Sequence, residues 1–217
     1  MNLRSLYLPI VIPDDVTKKI TRVHSNPAGW LVGQFLVYLT RQKNTLKRFI
    51  DDKRKRIRFS HPIVGVHVRR TDKRKEAKYH FLHEYMSHVG TWYDSYEKRH
   101  GKVKRRVYLA TDEPMVIRKA KESYPNYTFK YNFDSAVFAH TLKTRYSERS
   151  LHRLILDIQL LAECDFVVCT MTSNICRLVF ELMHVRYWDA PDRIISLERD
   201  FRFPFYKQWR MLFNKTR

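Results

Sequence analysis

One stretch limits the folds open to this chain: Pro62-Ile-Val-Gly-Val-His-Val68, an apolar run that passes without a break into Arg69-Arg70-Thr71-Asp72-Lys73. A β-branched run without polar alternation reads as a strand buried on both faces, the habit of parallel sheets in α/β domains. In such sheets the loops that follow the strands carry the chemistry. Two arginines present planar forks that match phosphate oxygens, and Lys73 adds a mobile point charge, so this loop suits a diphosphate. Taken alone, the same residues read equally well as a solvated basic turn.

Two more segments repeat the arrangement. Arg106-Val-Tyr-Leu-Ala110 reads as a strand that stops at Thr111-Asp112-Glu113-Pro114, and Asp165-Phe-Val-Val-Cys-Thr170 as one that stops at Met171-Thr172-Ser173-Asn174. Tyr127 to Tyr131 predicts a further strand. Helical spacing predicts helices from Asp14 to Val23, from Pro27 through Tyr38, from Lys43 to Arg56, from His80 to Arg99 and from Pro114 to Ser123. Another, capped by Ser150, carries the apolar stripe Leu151, Leu154, Ile155, Ile158, Leu161. Asp157 falls about 40° from Leu161 on that helix, since each residue advances about 100°, and a carboxylate at the edge of a buried face needs a partner. The alternative is an ordinary surface acid. A last helix, capped by Ser173 or Asn174, begins at a strand end and so aims free backbone N–H groups at the usual place for a phosphate.

Alternating strands and helices over roughly 120 residues predict an α/β fold with a Rossmann-like, doubly wound parallel sheet, whose strand ends face one crevice. The boundaries expected are a helical N-terminal flank over 1–60, the Rossmann-like domain over 61–187 and an irregular tail over 188–217, with Asn132 to Arg149 the least regular part inside. Only five glycines are present, at 29, 33, 65, 90 and 101, and none builds GxGxxG or GxxxxGK[ST]. Dinucleotide hydride carriers and P-loop hydrolysis are therefore disfavoured, and side chains with a helix end must hold any phosphate.

The formal charge of +20 implies a polyanionic partner, an acidic surface or a phosphorylated ligand. Its dispersal along the whole chain speaks against a nucleic-acid-binding arm. Neither a signal-peptide pattern nor a membrane span is predicted within these residues. The three cysteines, Cys164, Cys169 and Cys176, are too few for a disulfide scaffold and lack CxxC spacing, so each reads as a small buried residue, or two of them as one pair in an oxidising compartment.

Gly65-Val-His-Val-Arg-Arg-Thr-Asp-Lys73, Val107-Tyr-Leu-Ala-Thr-Asp112 and Ile155-Leu-Asp-Ile158 with Asp165-Phe-Val-Val-Cys-Thr170 resemble, in order and spacing, the α-1,6-fucosyltransferase family. Tyr7-Leu-Pro9, Val23-His24, Pro27-Ala28 and Gln34-Phe35 extend the similarity, which runs from Tyr7 to Met183. The resemblance implies transfer of L-fucose from GDP-fucose to the innermost N-acetylglucosamine of N-glycans, with inversion and without a metal or other cofactor, in the Golgi or elsewhere in the secretory pathway. It also implies that this chain is mainly the nucleotide-binding lobe of a GT-B-like enzyme. By the same resemblance Arg69 and Lys73 would hold the diphosphate, with Arg70 and Asp72 supporting their loop. Asp157 and His67 would face guanine or ribose, Ser173 would donate to a phosphate, and Asp112 would stand at the crevice. Glu76 would be the general base, Tyr85 lies in a matching Glu-Tyr-Met segment, and Cys169 matches a cysteine that pairs with Cys176. The chain departs from the family in several places: Lys73 to Glu76 is one residue shorter, with Arg74-Lys75 where a glycine is usual, Glu113 stands where a second aspartate is common, Cys164 has no match, and the family segments that flank this region have no counterpart here. Those departures leave a non-catalytic GDP-sugar or glycan-binding relative as the alternative, with a basic nucleic-acid-binding domain more remote.

Overall fold

The structure is a computed structural model that describes residues 14–24, 27–70, 78–140 and 147–198. Its five strands, β1 (Ile63–Val68), β2 (Arg106–Thr111), β3 (Thr128–Lys130), β4 (Phe166–Cys169) and β5 (Ile194–Ser196), are all parallel and lie in the order β3-β2-β1-β4-β5. All six residues of β1 are buried, as a strand covered on both faces must be.

Strand alternation sorts the side chains into two cores. On one face Val64, Val66 and Val68, with Val107 and Leu109, meet Tyr85, Met86, Val89 and Tyr93 of α4 (Leu82–His100) and Val116 and Ile117 of α5 (Pro114–Ser123). α6 (Phe133–His140) follows β3. On the other face Ile63, Tyr108 and Val167 meet Leu156, Leu160 and Leu161 of α7 (Glu148–Glu163) and Val179 and Met183 of α8 (Asn174–Arg186). That second face also receives Gly65 and His67. A Cβ on Gly65 would stand 2.9 Å from Leu161 Cδ2 and 3.1 Å from Cys164 Sγ, so the missing side chain is what lets α7 lie close to the sheet.

The N-terminal helices are α1 (Asp14–Ile20), α2 (Pro27–Leu39) and α3 (Asn44–Arg56); α2 packs along α8 and α3 touches α7. A Cβ on Gly33 would meet the Glu181 carbonyl oxygen at 2.5 Å and Val185 Cγ2 at 2.8 Å, and a backbone atom cannot swing aside. Gly33→Ala is therefore expected to lose about 1–3 kcal/mol by overpacking, although alanine is the better helix former. Thermal melting checks this, and an unchanged midpoint would show that the two helices separate freely.

Three expectations are corrected here. α7 begins a turn earlier than expected, because Ser147 is its N-cap and accepts from Ser150 N at 3.2 Å; Glu148 then sits in the first turn, where the helix dipole favours an acid. Phe133–His140 is helical rather than irregular, its weak propensity overridden by the burial of Ser135 and Ala136. Residues 188–198, expected to be irregular, instead hold a 3₁₀ turn (Ala190–Asp192) and β5, which pairs with β4; the rest of the expected tail lies outside the described residues. β5 is only three residues long and half-buried, too short for a period to show in sequence.

Candidate functional site

β1 lies between β2 and β4, so Arg69 and Arg70 leave the sheet flanked by Thr111-Asp112 on one side and Thr170–Ser173 on the other. The chain runs from β1 outward to β2 and β3, then returns to add β4 and β5 on the opposite side. That reversal makes the β1/β4 boundary the switch point of the sheet, where a crevice opens.

Asp112 ties the exit of β1 in place. Its Oδ1 accepts from the Arg70 backbone N–H at 2.9 Å and its Oδ2 lies 3.4 Å from Arg69 Nε. The two guanidinium groups then part. Arg70, only 6% exposed, stands 3.5 Å from Glu113 Oε2, donates to the His80 carbonyl at 3.4 Å and lies over the Tyr79 ring at 4.7 Å. It braces the wall of the crevice as well as lining it. Arg69 borders both hollows of the crevice.

The larger hollow encloses about 560 Å³ and is lined by His67, Arg69, Thr111, Asp112, Ser135 and Asp157 among others, a size that suits a small organic ligand. His67 points there by strand alternation; burial drives its pKa down to about 4, against the pull of Asp112 and with the help of Arg69, so its ring is neutral at pH 7. Asp157, 7% exposed, accepts from the Tyr108 hydroxyl at 2.6 Å. Burial raises its pKa to about 7, while the hydrogen bond from Tyr108, helped by the nearby Ser135 hydroxyl, holds it below what burial alone would give. A carboxylate with two acceptor oxygens is thus stored at the edge of ionisation in a mostly apolar chamber.

The smaller hollow is lined by Arg69, Arg70, Tyr85, Ser173 and Glu198. Ser173 is the N-cap residue of α8 and is 3% exposed. Burial pushes the Tyr85 phenol well above its ordinary pKa, so it enters this hollow as a neutral donor. The loop from β4 to α8 is held from several sides. Cys169 and Cys176 form a disulfide across it, Glu198 accepts from Thr172 N at 2.9 Å and Thr172 Oγ1 at 2.8 Å, and Ser196 Oγ accepts from Met171 N at 3.2 Å. Cys164 is a buried free thiol.

The residues singled out in the sequence thus fall into two groups joined at Arg69: His67, Asp112 and Asp157 on one side, Arg70, Tyr85 and Ser173 on the other. Asp72, Lys73 and Glu76 lie outside the described residues. Sequence reasoning missed Tyr108, Ser135 and Glu198. Tyr108 was legible in part, because it shares a strand face with Ala110 and the edge of the α7 stripe demanded a partner. Ser135 and Glu198 reach the crevice through tertiary packing alone. Among the described residues no group of three His, Cys, Asp or Glu side chains is arranged to hold a metal, and no helix is long and apolar enough to cross a membrane.

Sheet order defines a doubly wound α/β protein with a crevice along the ends of β2, β1 and β4. A model of the alpha-(1,6)-fucosyltransferase N- and catalytic domains matches residues 1–201. The alpha-(1,6)-fucosyltransferase of Drosophila melanogaster is 41% identical over 196 residues, covering 90% of this chain and 32% of that protein; that of Caenorhabditis elegans is 36% identical over 200 residues, covering 91% and 36%. This chain belongs to the alpha-(1,6)-fucosyltransferase family, and it spans about a third of the length of the curated relatives it matches. Among solved structures, a fucosyltransferase NodZ from Bradyrhizobium aligns with a TM-score of 0.43 and 16% identity over 90% of this chain and 67% of its own. A NodZ alpha-1,6-fucosyltransferase soaked with GDP-fucose aligns with a TM-score of 0.42 and 15% identity, over 82% and 64%.

Proposed function

We propose that this chain is the donor-binding part of an inverting glycosyltransferase that moves L-fucose from GDP-fucose to the core N-acetylglucosamine of N-glycans in α-1,6 linkage. Family membership supports the reaction class, and one structural observation carries the assignment of the site: Arg69 stands where a buried acid, Asp157, lines one hollow and a helix N-cap, Ser173, lines the next. A nucleoside diphosphate has that shape, with a base at one end and phosphates at the other. Guanine offers a ring N–H and an exocyclic amine on one edge, and a carboxylate accepts both; adenine offers no such pair.

In the reaction the acceptor hydroxyl attacks the anomeric carbon from the face opposite the diphosphate. The new carbon–oxygen bond forms as the bond to the phosphate oxygen breaks, and the hydroxyl proton passes to Glu76 as general base. GDP leaves with added negative charge, which Arg69 and Lys73 neutralise with preorganised cations. His67 is the second contact for the nucleoside, Asp112 holds the β1 exit with Asp72 supporting the loop, and Tyr85 and Ser173 serve the phosphate side. The donor is GDP-fucose, the acceptor an N-glycan, and the place of action the Golgi or secretory pathway.

Titration with GDP and with ADP, followed by a fucose-transfer assay on an N-glycan ending in N-acetylglucosamine, tests the proposal. Tighter binding of GDP together with transfer is the expected result. GDP binding without turnover selects the non-catalytic relative, which the short Lys73 to Glu76 spacing favours. Absence of GDP binding overturns both.

A further inference from the structure

The proposed reaction leaves unused one buried contact behind the wall of the larger hollow. Tyr108 lies in β2 beside Gly65 of β1, on the face that α7 covers, and it is fully buried with its ring edge-on to Phe59 at 5.8 Å. Phenylalanine would fill that place equally well. The hydroxyl instead reaches across to α7 and donates to Asp157 Oδ1 at 2.6 Å, between residues 49 apart in sequence. A hydrogen bond that short to a carboxylate is of the charge-assisted kind, and in a buried site it fixes the acceptor's rotamer as well as its charge.

We infer that Tyr108 is the positioning residue for guanine selection: its hydroxyl fixes Asp157 in one rotamer and favours the carboxylate form, whose remaining acceptor capacity is turned to the hollow. This inference rests on the proposed reading of that hollow as the guanine site. Asp157 faces Tyr108 from β2, Ser135 from α6, His67 and Arg69 from β1 and its exit, and Asp112 beyond β2; Glu148 and Arg153 share its helix, with Arg153 turned toward Asp134 at 3.8 Å and the Phe138 ring at 4.3 Å. Within this set the Tyr108 hydroxyl donates to the carboxylate and favours its charged form against burial, with the nearby Ser135 hydroxyl adding to that effect. Guanine needs that charged form, because a protonated carboxyl can offer its two donors only one full acceptor. Binding of GDP then releases a proton below about pH 7, and its affinity falls as the pH drops through that value.

Tyr108→Phe keeps the ring and removes only the hydroxyl. Wild-type affinity for GDP is expected to rise with pH to a plateau between about pH 5.5 and 8.5; in Tyr108→Phe the midpoint moves up by about one unit, so that GDP binds about fivefold more weakly at pH 7, close to tenfold below about pH 6, and the deficit shrinks at the alkaline end. Inosine diphosphate, which lacks the exocyclic amine, loses less, and ADP does not change. Equal pH profiles for the two proteins, or an equal loss for GDP and ADP, overturn the role of Tyr108. A wild-type protein with no preference for GDP at any pH overturns instead the reading of the hollow. The Asp157→Ala variant supplies the second arm: with no group left for Tyr108 to hold, it should abolish the pH dependence, and adding Tyr108→Phe to it should leave GDP affinity unchanged. A further loss in the double variant means that Tyr108 acts on folding rather than through Asp157.

Discussion

Arg69→Ala should lower kcat/KM for fucose transfer by at least about a hundredfold, the usual consequence of removing one preorganised group that stabilises transition-state charge. The loss should be larger in kcat than in GDP affinity, because the leaving diphosphate carries more charge in the transition state than in bound GDP-fucose. Arg69→Lys should fall between the two, since the charge is kept while the planar fork is lost. Stability enters this test. Arg69 Nε lies 3.4 Å from Asp112 Oδ2, and Asp112 is only 3% exposed, so the alanine variant leaves a buried carboxylate with less cationic support. Asp112 still accepts from the Arg70 N–H, which holds the β1 exit, and the thermal midpoint should fall by only a few degrees. Kinetics measured well below that midpoint separate the effects. Transfer within a few-fold of wild type would remove Arg69 from the proposed mechanism.

The sequence was most informative where burial is uniform. β1 and β4 were legible because a run apolar at every position admits little besides a covered parallel strand, and the chemistry was legible because polar clusters follow such strands at once. The α7 stripe predicted a buried face and set Asp157 at its edge, yet the acid's partner lies 49 residues away in a strand, and no local pattern encodes that pairing. Position at a strand end also said nothing about how consecutive arginines divide their work. Arg70 turns to Glu113, His80 and Tyr79 while Arg69 borders both hollows, a choice made by the tertiary neighbours Tyr79, His80, Glu113 and Asp112 rather than by residue type. β5 escaped notice because three half-buried residues carry no period, and with it went Ser196 and Glu198, the pair that fastens the Met171–Ser173 loop. Family resemblance named Glu76 as a candidate, which no packing pattern in the chain could have singled out.

Asp157→Asn tests base recognition with an isosteric change, and it should move binding and stability in opposite directions. The amide oxygen can still accept from Tyr108, but the amide nitrogen then opposes a donor on guanine where a carboxylate oxygen accepted it. GDP affinity should fall about ten- to a hundredfold, the value of a charge-assisted hydrogen bond with its partner left buried, and the preference over ADP should largely vanish while ADP binding stays the same. Stability follows the carboxyl's titration. Its folded-state pKa of about 7 lies above its ordinary value, so as pH rises the unfolded chain ionises first and the wild-type protein loses stability between roughly pH 4 and 7. Asparagine carries no such penalty. The variant should therefore melt close to wild type near pH 4 and higher than wild type at pH 8, the gap opening between those values and reaching on the order of a few kcal/mol. Such a profile is that of a group kept for binding at the expense of the fold. Should Asp157→Asn instead keep its choice of GDP over ADP, the acid would be a structural partner of Tyr108 and guanine would have to be read by other residues.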